Sequence, residues 1–189
     1  MFGGIIRHLG KVAYLDLRRG RLRILAQALV RHLNPGDSVA VDGVCLTVTS
    51  RTPKTFSVDI TRETIRRTHF RWARRGWLVN LELPLRLKDR IHGHMVLGHV
   101  DGIGVVKKGG NLPNIGVPGR LAPYMAEKGS VAVNGVSLTI ARRRGRLIQI
   151  ALIPETLRRT NLRFLGAGSR VNLEVDVLAR YSLDKRIRG

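Results

Sequence analysis

Cysteine is almost missing from this chain of 189 residues: Cys45 is the only one. One thiol excludes an internal disulfide framework, and without a CxxC pair or matched His/Cys spacing no structural zinc site is expected. Long apolar runs are missing too. No stretch approaches the roughly 20 residues that span a bilayer, and the N-terminus lacks the charged-then-apolar order of a signal peptide, so a cytoplasmic protein is expected. Acidic residues are scarce, 13 against 34 Lys and Arg, for a formal net charge of +21. That balance invites a polyanion partner. The excess is even, however, with 18 basic against 7 acidic residues in positions 1–92 and 16 against 6 in the rest. A dedicated nucleic-acid surface shows a basic stripe with interleaved aromatics, and aromatics are only 5% here, so nucleic acid is not the expected partner.

What the chain does have is a repeat. Residues 36–48, with the core Ser-Val-Ala-Val-Asp-Gly-Val-Cys-Leu-Thr-Val, return as Ser-Val-Ala-Val-Asn-Gly-Val-Ser-Leu-Thr-Ile in residues 130–140. Aligning Gly43 with Gly135 gives an offset of 92, which also carries Glu63-Thr64 onto Glu155-Thr156 and Val79-Asn80-Leu81-Glu82 onto Val171-Asn172-Leu173-Glu174. Near the start the offset is 94, carrying Gly4 onto Gly98. Three blocks in one order indicate two homologous domains, expected over residues 1–90 and 91–176, followed by a helix or tail over 177–189. Domains of this size bury only about 60–65% of their unfolded surface, so contacts between domains or subunits should contribute to stability.

Short strands separated by turns every 8–12 residues indicate an all-β sandwich or barrel. The pattern predicts a first strand over residues 1–12, then a segment over 21–29 that reads equally as strand or short helix. Strands over 38–41 and 44–49 flank Asp42-Gly43, a hairpin turn requiring positive φ, and Asn134-Gly135 repeats it. Further strands are predicted over 56–60 and 77–83, with a capped helical turn over 61–68 between them. The second half repeats this order, and residues 177–188 read as a short closing helix.

These residues carry a family resemblance. Met-Phe-x-Gly-Ile-Ile at the start, Asp42-Gly-Val-Cys-Leu-Thr-Val-Thr, Gly93-His-Met-Val-Leu-Gly-His-Val-Asp-Gly, Asn134-Gly-Val-Ser-Leu-Thr and Ile153-Pro-Glu-Thr-Leu together resemble riboflavin synthase of the alpha-chain type. The resemblance spans almost the whole chain. It implies an all-β fold of two similar six-stranded antiparallel Greek-key barrels with a short C-terminal helix, assembled as a homotrimer with its site between subunits. The implied reaction is a dismutation of two 6,7-dimethyl-8-ribityllumazine molecules into riboflavin and 5-amino-6-ribitylamino-uracil, with no cofactor and no metal. Association with lumazine synthase is a further implied partnership. The sequence departs from the family in Gly3, where Thr is usual, in Leu83, where Arg is common, and in a shorter loop over residues 109–119.

The resemblance also implies substrate contacts. In the first barrel they fall on Gly4, Ile5 and Ile6, on Ser38, on Cys45, Leu46 and Thr47, and on Asp59, Ile60, Thr61, Arg62, Glu63 and Thr64. In the second they fall on Gly98, His99 and Val100, on Lys128, on Ser137, Leu138 and Thr139, and on Ala151, Leu152, Ile153, Pro154, Glu155 and Thr156. Phe2 matches an aromatic that approaches the ring system; its bland reading is a core plug.

The chemistry needs a proton removed from a methyl group of one lumazine and a nucleophile added to the equivalent ring carbon of the other. Cys45 and Ser137 share a repeat position, so each pocket offers a small nucleophile or proton relay beside Thr47 or Thr139. The bland readings are a buried small hydrophobe and ordinary strand hydroxyls. His99 is the expected general acid/base, because imidazole titrates near neutrality, whereas His94, five residues earlier, reads as readily structural as catalytic. Asp176 matches a family carboxylate, and equally reads as a helix N-cap. The alternative function is a non-catalytic relative that holds a lumazine or flavin. Retention of Ser137, Thr139, His99, Lys128, Glu155 and Thr156 in the second copy favours the enzyme.

Overall fold

Runs of Val, Ile and Thr bounded by turn residues set most of the architecture. The computed structural model describes residues 1–187. The first half forms β1 (His8–Asp16), β2 (Arg21–Leu25), β3 (Ser38–Val41), β4 (Val44–Arg51), β5 (Thr55–Asp59) and β6 (Leu78–Glu82). The second forms β7 (Gly102–Lys108), β8 (Asn114–Gly116), β9 (Ser130–Val133), β10 (Val136–Arg144), β11 (Leu147–Ile150) and β12 (Arg170–Val175). Each set closes into an antiparallel barrel, in the order β1-β2-β5-β4-β3-β6 and the equivalent β7-β8-β11-β10-β9-β12. Closure leaves no unpaired sheet edge. Register shifts at Val12/Tyr14 and Val48/Ser50 recur at Val106/Lys108 and Ile140/Arg142, so the bulges that help bend the strands are duplicated with the sequence.

Period-2 alternation turns Leu22, Ile24, Val39, Val48, Phe56 and Val58 into the first barrel, and Ile115, Val131, Ile140, Ile148 and Ile150 into the second. Helices are short: α1 (Gln27–Val30), α2 (Arg62–Arg67), α3 (Pro154–Arg159) and α4 (Val177–Ile187). The Thr61 hydroxyl caps α2 by accepting from Thr64 N–H. No helix among the described residues is long and apolar enough to cross a membrane.

Several expectations need correction. The first strand starts at His8, not at residue 1, because Gly4 has φ +71 and the amides of Gly3 and Gly4 bond to a side chain instead of a ladder. The ambiguous stretch 21–29 is both things in succession, β2 and then α1. The strands predicted over 56–60 and 77–83 run Thr55–Asp59 and Leu78–Glu82. Short 3-10 turns at His69–Trp72, Ala122–Tyr124 and Asn161–Phe164 were not foreseen. The closing helix ends at Ile187, and the rest of the predicted tail, residues 188–189, lies outside the described residues.

The barrels meet across an approximate two-fold axis. Phe2 and Val96, repeat mates, exchange backbone hydrogen bonds and share a small apolar cluster with Ala40 and Ala132. At the hairpins, a Cβ on Gly43 would lie 2.6 Å from Gly135 N, and one on Gly135 2.7 Å from Gly43 N, so only glycine lets the turns touch. Beside them lies a buried polar network. Asn161 N–H donates to Asn80 Oδ1 and, equivalently, His69 N–H donates to Asn172 Oδ1, both at 2.8 Å. Asp42 Oδ1 accepts from Asn80 N–H and Asn161 Nδ2, while His69 Nε2 lies 3.0 Å from Asp42 Oδ2. The hydrogen bonds of the asparagines and of Asp42 Oδ1 offset much of the cost of removing these groups from water and fix one mutual orientation of the barrels.

Candidate active site

Each candidate pocket begins as a strand pair whose outward face carries small side chains. Ser38 pairs with Thr47 and Ala40 with Cys45 on β3 and β4; Ser130 pairs with Thr139 and Ala132 with Ser137 on β9 and β10. Cys45 and Ser137 are half-buried and Thr47 and Thr139 exposed, while the alternate residues Leu46 and Leu138 point into the cores. Small side chains keep the surface of each floor low. Ser130, Ala40 and Ala132 escaped the sequence reading, although strand alternation plus the repeat offset would have found them.

The leading segments close these floors crosswise. Ser137 N–H donates to the Gly4 carbonyl at 2.8 Å, and Cys45 N–H donates to the Gly98 carbonyl at 2.9 Å. A Cβ on Gly4 would lie 2.6 Å from Ser137 Cβ, and one on Gly98 2.5 Å from Cys45 Cβ. Ile6 packs in the second barrel's core and Val100 against the first's. The sequence-based grouping of Gly4, Ile5 and Ile6 with Cys45, and of Gly98, His99 and Val100 with Ser137, is therefore corrected. Repeat offsets identify equivalent residues but do not say which copy each one touches.

Buried glutamates hold both leading segments. Glu82 accepts from Gly3 N–H at 2.8 Å and Gly4 N–H at 3.1 Å; Glu174 accepts from the amides of Leu97, Gly98 and His99 at 2.6, 3.0 and 3.0 Å. Burial pushes the Glu82 carboxyl up to about 7 despite these bonds, and raises Glu174 as well. Both close the repeated Val-Asn-Leu-Glu block, which carried the signal without revealing the role.

The Ser137 pocket also holds a histidine. His94 Nδ1 lies 2.7 Å from Ser137 Oγ, and its Nε2 is shielded from solvent without a partner among the described residues. Burial lowers the His94 pKa and the charge of Asp176 opposes that shift, so near neutrality the ring is a neutral base. The Asp176 carboxylate also accepts from Leu178 N–H at the start of α4, so it is an N-cap and an electrostatic partner of His94 at once. The His99 side chain is exposed, with its main-chain N–H bound to Glu174. His94 lies just ahead of the Gly98 segment, outside the repeated blocks.

The remaining predicted residues flank these floors. Asp59 and Ile60 lead from β5 into α2, where Thr61 caps and Glu63 pairs with Arg66 and Arg67. Ala151, Leu152 and Ile153 lead into α3, which starts at Pro154 and pairs Glu155 with Arg158 and Arg159. Ile153 is 61% exposed, an apolar side chain left free beside the second floor's barrel. Arg62 is exposed, and Thr64 and Thr156 are half-buried. Lys128 is exposed at the turn before β9, with φ +64. Phe2 is fully buried between the barrels, 0% exposed.

A family model described as the lumazine binding domain matches residues 3–84 and again 97–176. The chain is 40% identical over 196 residues to a riboflavin synthase from Photobacterium leiognathi, covering 100% of this chain and 89% of that protein. It is 39% identical over 191 residues to a riboflavin synthase from Chlamydia trachomatis, covering 100% and 96%. Its fold is similar to that of LumP complexed with riboflavin, with TM-score 0.85 at 24% identity over 93% of this chain and 99% of that one. Two matched domains, each with its own small-residue floor and crossed closing segment, and full-length likeness at this level lead to one conclusion: the chain belongs to the riboflavin synthase family.

Proposed function

We propose that the protein is a riboflavin synthase, converting two molecules of 6,7-dimethyl-8-ribityllumazine into riboflavin and 5-amino-6-ribitylamino-uracil by transfer of a four-carbon unit. The observation that carries this reading is the pair of equivalent floors, Cys45/Thr47 and Ser137/Thr139, each closed by a glycine carbonyl from the opposite copy. Two identical substrates call for two like pockets, and holding two rings face to face supplies much of the rate by effective molarity. The chain's own groups then move protons. Neutral His94, bonded to Ser137 and next to Asp176, suits removal of a methyl proton, and Cys45 or Ser137 suits addition to, or relay at, the partner ring. His99 remains a candidate proton carrier at the Cys45 pocket through its position beside Gly98.

Both floors face outward from their barrels, which supports an assembly in which the first pocket of one copy meets the second of another; a homotrimer is the proposed form. The reaction needs no added cofactor, because the two lumazines supply all the carbon. The proposed setting is the cytoplasm, and the even basic charge suits a salt-sensitive association with lumazine synthase. Incubation of the purified protein with the lumazine alone should yield riboflavin absorbance and fluorescence. Tight lumazine binding with no riboflavin formed would instead identify a non-catalytic lumazine-binding relative.

A further inference from the structure

Away from both floors, the seam between the barrels opens into a cavity of about 610 Å³. Its walls come from matching positions of the two copies. Trp72 ends the 3-10 turn after α2, and Phe164, its mate at offset 92, ends the turn after α3. Both line the cavity and both are exposed, Trp72 by 37% and Phe164 by 60%. Each ring lies under arginine. The Arg170 guanidinium is 4.3 Å from the Trp72 centroid, with Arg71 at 5.4 Å, and Arg163 is 4.6 Å from the Phe164 centroid. Arg74 adds another cation to the lining, and no carboxylate is among the described residues that line it.

This concentration is unusual for the chain. Aromatics are only 5% of the sequence, yet Trp72, Trp77 and Phe164 all line this one cleft. The even charge by halves had argued against a polyanion surface; the fold instead brings one aromatic-arginine unit from each half to a common seam. Exposed rings interleaved with guanidinium groups stack planar bases and pair with phosphates. The volume falls within the range of small-ligand sites, and the net charge of +21 raises the local concentration of anions. We propose that the cleft binds a phosphorylated heteroaromatic group, a nucleotide, either free or as part of a single-stranded nucleic acid. This site is separate from the lumazine pockets and does not depend on their assignment.

The protein carries its own probe, because both of its tryptophans line the cleft and their emission reports from it. Adenosine monophosphate, a short oligoadenylate and inorganic phosphate are titrated in turn against the full chain. Stacking on Trp72 should quench emission with the two adenine ligands and not with phosphate. Phe164→Ala should weaken binding about tenfold or more, the usual effect of losing one stacking ring. Arg170→Gln should weaken it and flatten the dependence of log affinity on log salt by about one unit. Arg51→Gln, an exposed change on β4, should do neither. All three variants should keep wild-type circular dichroism and riboflavin formation. Equal affinity per nucleotide for the monophosphate and the oligomer identifies a free nucleotide as the ligand, and binding of the oligomer alone identifies a single strand. Absence of quenching with both, displacement by phosphate as effective as by the monophosphate, or unchanged binding in both Phe164→Ala and Arg170→Gln overturns the proposal.

Discussion

At the scale of single residues, His94 sets the chemistry proposed for the Ser137 pocket. In the sequence His94 reads as readily structural as catalytic, because no local pattern says what its ring faces. The fold sets it against Ser137, half-buried and with a shielded Nε2. If it is the base, His94→Gln should lower turnover by about 10²–10⁴ with lumazine binding retained. Burial depresses its pKa, so the acid limb of kcat/KM should lie below the ordinary histidine value of about 6.5. Asp176 opposes that depression, so Asp176→Asn should move the limb to still lower pH. Rate–pH profiles of the three proteins, with His99→Ala as comparison, decide the matter. Undiminished turnover in His94→Gln, or a limb that stays put in Asp176→Asn, would remove His94 from the proton path.

Among elements, the hairpins were the most legible. Asp42-Gly43 and Asn134-Gly135 announce positive φ at both central positions, and the structure has φ of 46° and 76°, and of 47° and 76°. The leading segments were the least legible. Their apolar run suggested a strand, but one buried carboxylate takes the amides that a strand would have paired. That arrangement makes their docking sensitive to pH. Glu82 is raised from 4.5 to about 7, so the native state holds an extra proton across that window. Its favourable contribution is complete below the unfolded carboxylate value of about 4.3 and is lost as pH rises through about 7, a difference on the order of 3 kcal/mol. Glu174 acts in the same direction. Thermal melts between about pH 5 and pH 8 should show wild type losing roughly 5–10 °C relative to Glu82→Gln. Parallel curves for the two proteins would mean that Glu82 is charged in the fold throughout.

In the whole molecule, the duplication was plain from three repeated blocks, and the two barrels follow from it. How the barrels join was not plain. Asp42 and Asn134 serve as ordinary turn residues in the sequence, yet in the fold they sit 0% and 2% exposed in the network that unites the halves. No local pattern distinguishes a turn asparagine in water from one buried against a partner. The crossed leading segments have a mechanical consequence. Residues 86–92 are exposed and form the stretch of chain between the last strand of one barrel and the leading segment that reaches back to it. A protease cut there severs the polypeptide without separating its parts, since each fragment keeps a strap threaded against the other's barrel. The nicked protein should elute as one species under native conditions, and divide into two bands only in denaturant. The molecule is a clasp with two hooks, and cutting the cord between them does not open it.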